Sequence, residues 1–156
     1  MTAYELCQRH VVTARRHEEL STAAWVMRER NVGCLVVVDP AGSQGGWRPV
    51  GLLTDRDIVT RAIARDEDLR GVVVEEVMSR NPPTVSNNSP VDEALQRMRA
   101  SGVRRVPVVD DRGRLTGILA LDDIFEHMAQ RLPFGVTPIR PDLKFDQPGR
   151  MGIDRI

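Results

Sequence analysis

The stretch "GLLTDRDIVTRA", residues 51–62, sets Thr54, Asp55, Arg56 and Asp57 between a strand-like apolar pair and a run whose apolar residues return at helical spacing. Two chemistries fit that junction. Thr54 can cap a helix, its hydroxyl accepting a free backbone N–H while the acid three residues on suits the helix dipole. A helix N-terminus beside a strand end can also hold a ligand's hydroxyls or phosphates. These residues by themselves leave both open.

No enzymatic constellation competes for that role. His10, His17 and His127 show no metal-ligand spacing and read as surface or boundary histidines. There is no G-x-S-x-G, and "GSQGG" lacks the lysine and the strand-to-helix setting of a phosphate loop. The acid pairs Asp55/Asp57 and Asp122/Asp123 fall in first helical turns, where the dipole favours acids without any catalytic role. Cys7 and Cys34 match no C-x-x-C or zinc spacing and are expected to be buried free thiols, with a redox role left open. Arg15, Arg16 and His17 form a small basic cluster that reads as a solvated loop, with a phosphate contact as the alternative.

The elements that must position Thr54 and Asp57 are written twice. A constant shift of 71 positions superimposes Glu19 to Asp39 on Pro90 to Asp110, with identities at Ala23/Ala94, Met27/Met98, Arg28/Arg99, Val32/Val103 and the two "VVD" triplets. The same shift pairs Glu5 with Glu76, Arg9 with Arg80 and Thr13 with Thr84. Past a loop, "PAGSQGGWRP", that is longer in the first copy, "GLLTDRDI" meets "GILALDDI" at a shift of 66. Trp47 at the loop end is expected to cover apolar surface, with a ligand or partner contact as the alternative.

Leu20, Ala23, Ala24 and Met27, and again Val91, Ala94, Leu95 and Met98, recur at helical spacing and predict two amphipathic helices. The β-branched runs "VGCLVVV" and "VRRVPVV", then "VGLL" and "TGIL", predict strand pairs, with helices following from about Thr54 and Leu121. Each unit is thus β-α-β-β-α, an α/β class. A unit of about 60 residues buries little alone, so the two are expected to pack about a pseudo-two-fold axis with any site at their shared cleft. The division is residues 1–71, residues 72–132 and a Pro-rich extended arm, 133–156.

Composition narrows the partners. Lys plus Arg and Asp plus Glu balance at 22 each and aromatics are 4%, which argues against nucleic acid and against an anionic membrane surface. No apolar run approaches ~18 residues and the N-terminus lacks a signal-peptide pattern, so a cytoplasmic protein is expected.

The duplication, "GVRRVPVVD" and "G-x-L-T-x-R-D-I" together resemble the tandem CBS (cystathionine β-synthase) domains, over roughly residues 3–131. The match extends to small stand-alone bacterial CBS-pair proteins, some of them stress or hypoxia responsive. The resemblance implies a Bateman module, two CBS repeats binding an adenine nucleotide, AMP, ADP or ATP, in clefts between the copies. In such a module a Thr-x-x-Asp holds the ribose, which falls here on Thr54 and Asp57. A basic residue reaching the phosphate falls on Arg104 and Arg105. A carboxylate suits two vicinal hydroxyls and guanidinium forks suit phosphate oxygens.

The second site keeps Asp123 but has Ala120 at the threonine position and Gly33 and Cys34 at the arginine positions. With Thr13 beside it, that site is expected to be weaker, suited to a ligand without phosphate such as adenosine or S-adenosylmethionine. The resemblance also implies a homodimer, with Trp25 either in its interface or buried in the monomer. Output would go through a separate effector protein. The competing reading is a ligand-free dimeric scaffold.

Overall fold

The structure, a computed structural model, describes residues 1–43, 45–65 and 68–131. The Pro-rich arm, 133–156, lies outside the described residues. Met1–Ile124 forms one compact unit and holds all the packing and clefts discussed below. The second unit, Phe125–Ile156, is described as far as Arg131, where the Arg131 N–H closes the helix end on the Met128 carbonyl at 3.1 Å.

The helices are α1 (Ala3–Leu6), α2 (Leu20–Arg30), α3 (Asp55–Asp57), α4 (Val74–Val77), α5 (Val91–Ser101) and α6 (Leu121–Gln130). The strands are β1 (Thr13–Arg15), β2 (Cys34–Pro40), β3 (Trp47–Thr54), β4 (Ser79–Arg80), β5 (Val85–Ser86), β6 (Arg105–Val109) and β7 (Leu115–Ala120). One sheet runs β1-β2-β3-β4 and the other β5-β6-β7. β1 and β5 pair in parallel with β2 and β6, and the remaining pairs are antiparallel. A register shift falls between Val37 and Val38 in one sheet and between Val108 and Val109 in the other, which are equivalent positions. The mixed α/β fold of two β-α-β-β-α repeats about a pseudo-two-fold axis is the one expected.

The helical stripes are core. Leu20, Ala23 and Met27 pack with Leu35, Val37 and Leu53, and Ala94 and Met98 pack with Val106, Val108 and Leu119. α2 ends on Asn31 and α5 on Gly102, both left-handed at φ 51° and 64°, the usual geometry of a helix stop. A third cluster, Val36, Val38 and Leu52 with Cys34, Leu115 and Ile118, joins the two sheets.

The repeats exchange their leading segments. Ala3 of α1 is buried in the second core, and its N–H donates to Ser89 O at 2.8 Å. Val74 and Val77 of α4 are buried in the first core, and the Val74 N–H donates to Glu18 O at 2.9 Å. Likewise β4 pairs with β3 through Leu52 and Ser79, while Gln8 bridges Ile118 of β7. Each core is therefore completed by the segment that leads the other repeat. Gly51 and Gly117 permit this crossing: a Cβ at either would collide with the Met78 or Cys7 sulfur of the segment passing over it.

α3 has only three residues before the chain widens into a π-helical turn, Ile58–Ala62, and tightens into a 3-10 turn, Ile63–Arg65. The expected solvated loop at 15–17 is instead well partnered. The Arg15 guanidinium stacks on Trp47 at 3.6 Å from the ring centroid, Arg16 pairs with Asp39 through both ends of its fork, and His17 Nδ1 lies 3.3 Å from Glu75. These contacts tie the longer first loop and the α4 segment to β1. Trp25 is 59% exposed, so the alternative of burial inside the monomer fails.

Candidate functional site

The first cleft has a volume of about 450 Å³ and draws on both repeats. The end of β3 brings Thr54, and α3 brings Asp55, Arg56 and Asp57; the turn after α5 and the start of β6 bring Gly102 to Arg105. Gly33, Cys34, Leu52 and Ser79 complete the lining. Thr54, Asp57, Arg104 and Arg105 thus line one cleft although they are up to 51 positions apart in the chain.

Within it, capping and ligand chemistry share atoms. The Thr54 hydroxyl donates to Asp57 Oδ2 at 2.7 Å and accepts from the Asp57 N–H at 3.1 Å, while the Thr54 N–H donates to the same Oδ2 at 3.0 Å. That is a complete capping box. The other oxygen, Oδ1, lies 3.5 Å from Arg61 Nε, too long for a strong hydrogen bond. First-turn donors are largely taken: the Arg56 N–H goes to Asp55 Oδ1 at 2.8 Å. Any charge for a phosphate must therefore come from guanidinium groups rather than from the end of α3.

Arg104 is exposed and pairs with Asp122 at 2.8 Å. Arg105 forms no ion pair among the described residues, and the residue as a whole is half-buried. Burial pushes the Cys34 thiol up to about 11, against a smaller downward pull from Arg105 and further upward pushes from Asp57 and Asp55. Burial raises the Cys7 thiol too. Both cysteines are free and half-buried, and both stay protonated near neutrality. Gly33 has a local reason of its own, since a Cβ there would sit 3.0 Å from Asp55 Oδ2.

The second cleft, about 320 Å³, is the pseudo-symmetric counterpart. Gln8, Asn31, Gly33, Cys34, Ala120, Asp122 and Asp123 line it, with Arg105 again. Asp123 accepts from Gln8 Nε2 at 3.1 and 3.3 Å and from the Ala120 N–H at 3.3 Å. Two expectations are amended here. The cleft does have a guanidinium, because Arg105 lies between the two clefts and lines both. Thr13 is not in its lining but in a third groove of about 490 Å³ with His10 and Trp25. Sequence reasoning also missed Gln8 and Ser79; the shift of 71 makes them equivalents, but neither type advertised a role. Among the described residues no group of three His, Cys, Asp or Glu could hold a metal ion.

Comparisons with known proteins bear on this geometry. An uncharacterized protein of Methanopyrus kandleri is 32% identical over 140 residues, covering 90% of this chain and 67% of that protein. Hypoxic response protein 1 of Mycobacterium tuberculosis is 34% identical over 129 residues, covering 83% and 86%. This chain spans about two thirds of the Methanopyrus protein and 65% of further relatives from Acidianus ambivalens and Bacillus subtilis. Among solved structures, Hypoxic Response Protein I with two coordinated zinc ions superimposes with a TM-score of 0.69 at 34% identity, over 81% of this chain and 98% of that one. A CBS domain pair in complex with 5′-methylthioadenosine and S-adenosyl-L-methionine does so with a TM-score of 0.72 at 28% identity, over 85% and 98%. The CBS domain model matches residues 3–64 and 74–130, one match for each repeat of the β-α-β-β-α frame, and the chain belongs to the CBS domain family as a tandem pair.

Proposed function

We propose that this CBS pair is a non-catalytic sensor that takes an adenine nucleotide, AMP, ADP or ATP, in the first cleft and signals to a separate effector protein in the cytoplasm. The observation that carries it is the convergence of Thr54 and Asp57 from one repeat with Arg104 and the unpaired Arg105 from the other on a single cleft. Asp57 Oδ1 accepts from the ribose hydroxyls, and the two guanidinium groups take phosphate oxygens, Arg104 exchanging Asp122 for them. A cleft of this volume is within the usual range for a small ligand. The solved CBS pair with two adenosine-containing ligands supports an adenosine-type occupant. Because the walls come from two repeats, a ligand that binds one relative placement better shifts the pair toward it, which is the signal an effector reads. Trp25, Val59 and Ile63 are large, apolar and exposed, the last two four apart on one helical face, and they supply the surface of a homodimer.

One observation favours a ligand-free dimeric scaffold: Asp57 is already engaged in the capping box. Thermal denaturation of ligand-stripped protein with AMP, ADP, ATP, GTP, NADH and S-adenosylmethionine separates the two. A ligand at 100 times its dissociation constant adds about 2.7 kcal/mol of stability. The sensor reading expects a rise in midpoint confined to adenylates and lost in Asp57→Ala; an unmoved midpoint with every ligand establishes the scaffold.

A further inference from the structure

Asp123 in the second cleft meets a side chain from the other repeat, whereas the Asp57 oxygen outside the capping box meets only Arg61 Nε, at 3.5 Å. Gln8 Nε2 lies 3.1 Å from one Asp123 oxygen and 3.3 Å from the other, so a single amide nitrogen spans the carboxylate. That is the bridging position a vicinal diol takes on a carboxylate. Ser79, which holds the equivalent place in the first cleft, does not touch Asp57; its hydroxyl accepts from Arg61 Nη1 at 3.2 Å. The asymmetry has a local origin. Ala120 has no hydroxyl to match that of Thr54, and a half-buried carboxylate needs donors, which Gln8 supplies from across the repeat boundary.

We propose that Gln8 determines the ligand specificity of the second cleft, its amide occupying the ribose position on Asp123 and excluding adenosine-type ligands. This rests on the adenine-nucleotide reading of the first cleft. Charge does not explain the exclusion, since Arg105 lines both clefts. Displacing a hydrogen bond to a charged group costs about tenfold or more in affinity. Gln8 is exposed, so its replacement leaves the packing intact.

The test is calorimetric titration of the ligand-stripped full chain with adenosine, which carries no phosphate, using the parent, Gln8→Ser, Gln8→Ala as a second variant, and Gln8→Ser combined with Asp57→Ala. The proposal expects one adenosine per chain in the parent, two in either Gln8 variant with the second at least about tenfold tighter than any trace in the parent, and one in the double variant. Two adenosines in the parent, or one in both Gln8 variants, overturn it while the first-cleft reading stands. None in the parent but one in Gln8→Ser leaves Gln8 in its role, and titration of the parent with AMP then decides the first cleft, a null there overturning that reading. No adenosine bound by any of the four overturns the Gln8 proposal, and the same AMP titration decides the first cleft separately.

Discussion

At the strand-to-helix junction of the first repeat, a threonine hydroxyl and amide meet one oxygen of Asp57; at the same junction of the second, an alanine stands in and a glutamine 115 positions away reaches Asp123. Around these junctions the two repeats are the same object. Their strands pair alike, their register shifts at Val37/Val38 and Val108/Val109 coincide, and Gly51 and Gly117 each accept the equivalent crossing segment of the other repeat. The backbone frame is held by buried residues whose neighbours leave no latitude, whereas a half-buried cleft residue answers only to what the cleft holds. Duplication followed by drift at such positions yields one cleft with a hydroxyl, a carboxylate and two guanidinium groups, and another in which the carboxylate is hydrogen-bonded by Gln8 of the same chain.

Four experiments test that contrast. Leu35→Ala and Leu119→Ala, each fully buried at equivalent depth in the two cores, are expected to cost about 2–5 kcal/mol apiece in denaturant titration. Because α1 and α4 are exchanged, both variants should unfold in one transition, and two separate transitions would show that the cores are independent. Next in size, Asp57→Asn is expected to weaken AMP binding by about 10–100-fold, roughly 1.5–3 kcal/mol, and Asp123→Asn by less than about twofold. Equal losses at the two positions would erase the distinction between the clefts.

The third concerns Cys34, which sits where the second repeat has Arg105. Burial holds its thiol up at about 11, above the ordinary range of a thiol, so the unfolded chain releases the proton first. The contribution to stability is whole below pH 9 and is lost as pH rises through 11, by up to about 2 kcal/mol. Cys34→Ala should flatten that stretch of the pH–stability curve relative to the parent, and an unchanged slope would place the alkaline loss elsewhere. The smallest effect is at the caps: Thr54→Ala should cost about 1 kcal/mol by thermal denaturation, and Ala120→Thr should recover no more than that in the second repeat.

The duplication, the apolar stripes of α2 and α5 and the paired strands are legible along the chain because burial imposes a period: Ala23 and Ala94, or Met27 and Met98, must face the interior at fixed spacing. Thr54, Asp57, Arg104 and Arg105 were legible as candidates through the resemblance to CBS pairs, and Thr54 and Asp57 also through their place at a strand-to-helix junction. Trp25 could be placed at an interface or inside, since an exposed and a buried tryptophan look alike beside a stripe. Arg15, Arg16 and His17 read as a solvated loop because their partners, Trp47, Asp39 and Glu75, are remote in sequence.

By itself, then, the sequence determined the repeat, the α/β class and the residue types available at each strand-to-helix junction, all of which follow from local periodicity and from comparing the chain with itself. Only the tertiary structure decided that the leading segments cross to the opposite core, that Arg105 stands between two clefts, and that Gln8 rather than solvent faces Asp123. Those are contacts across long loops, and no local preference encodes which of many polar groups will meet once two sheets have closed on each other.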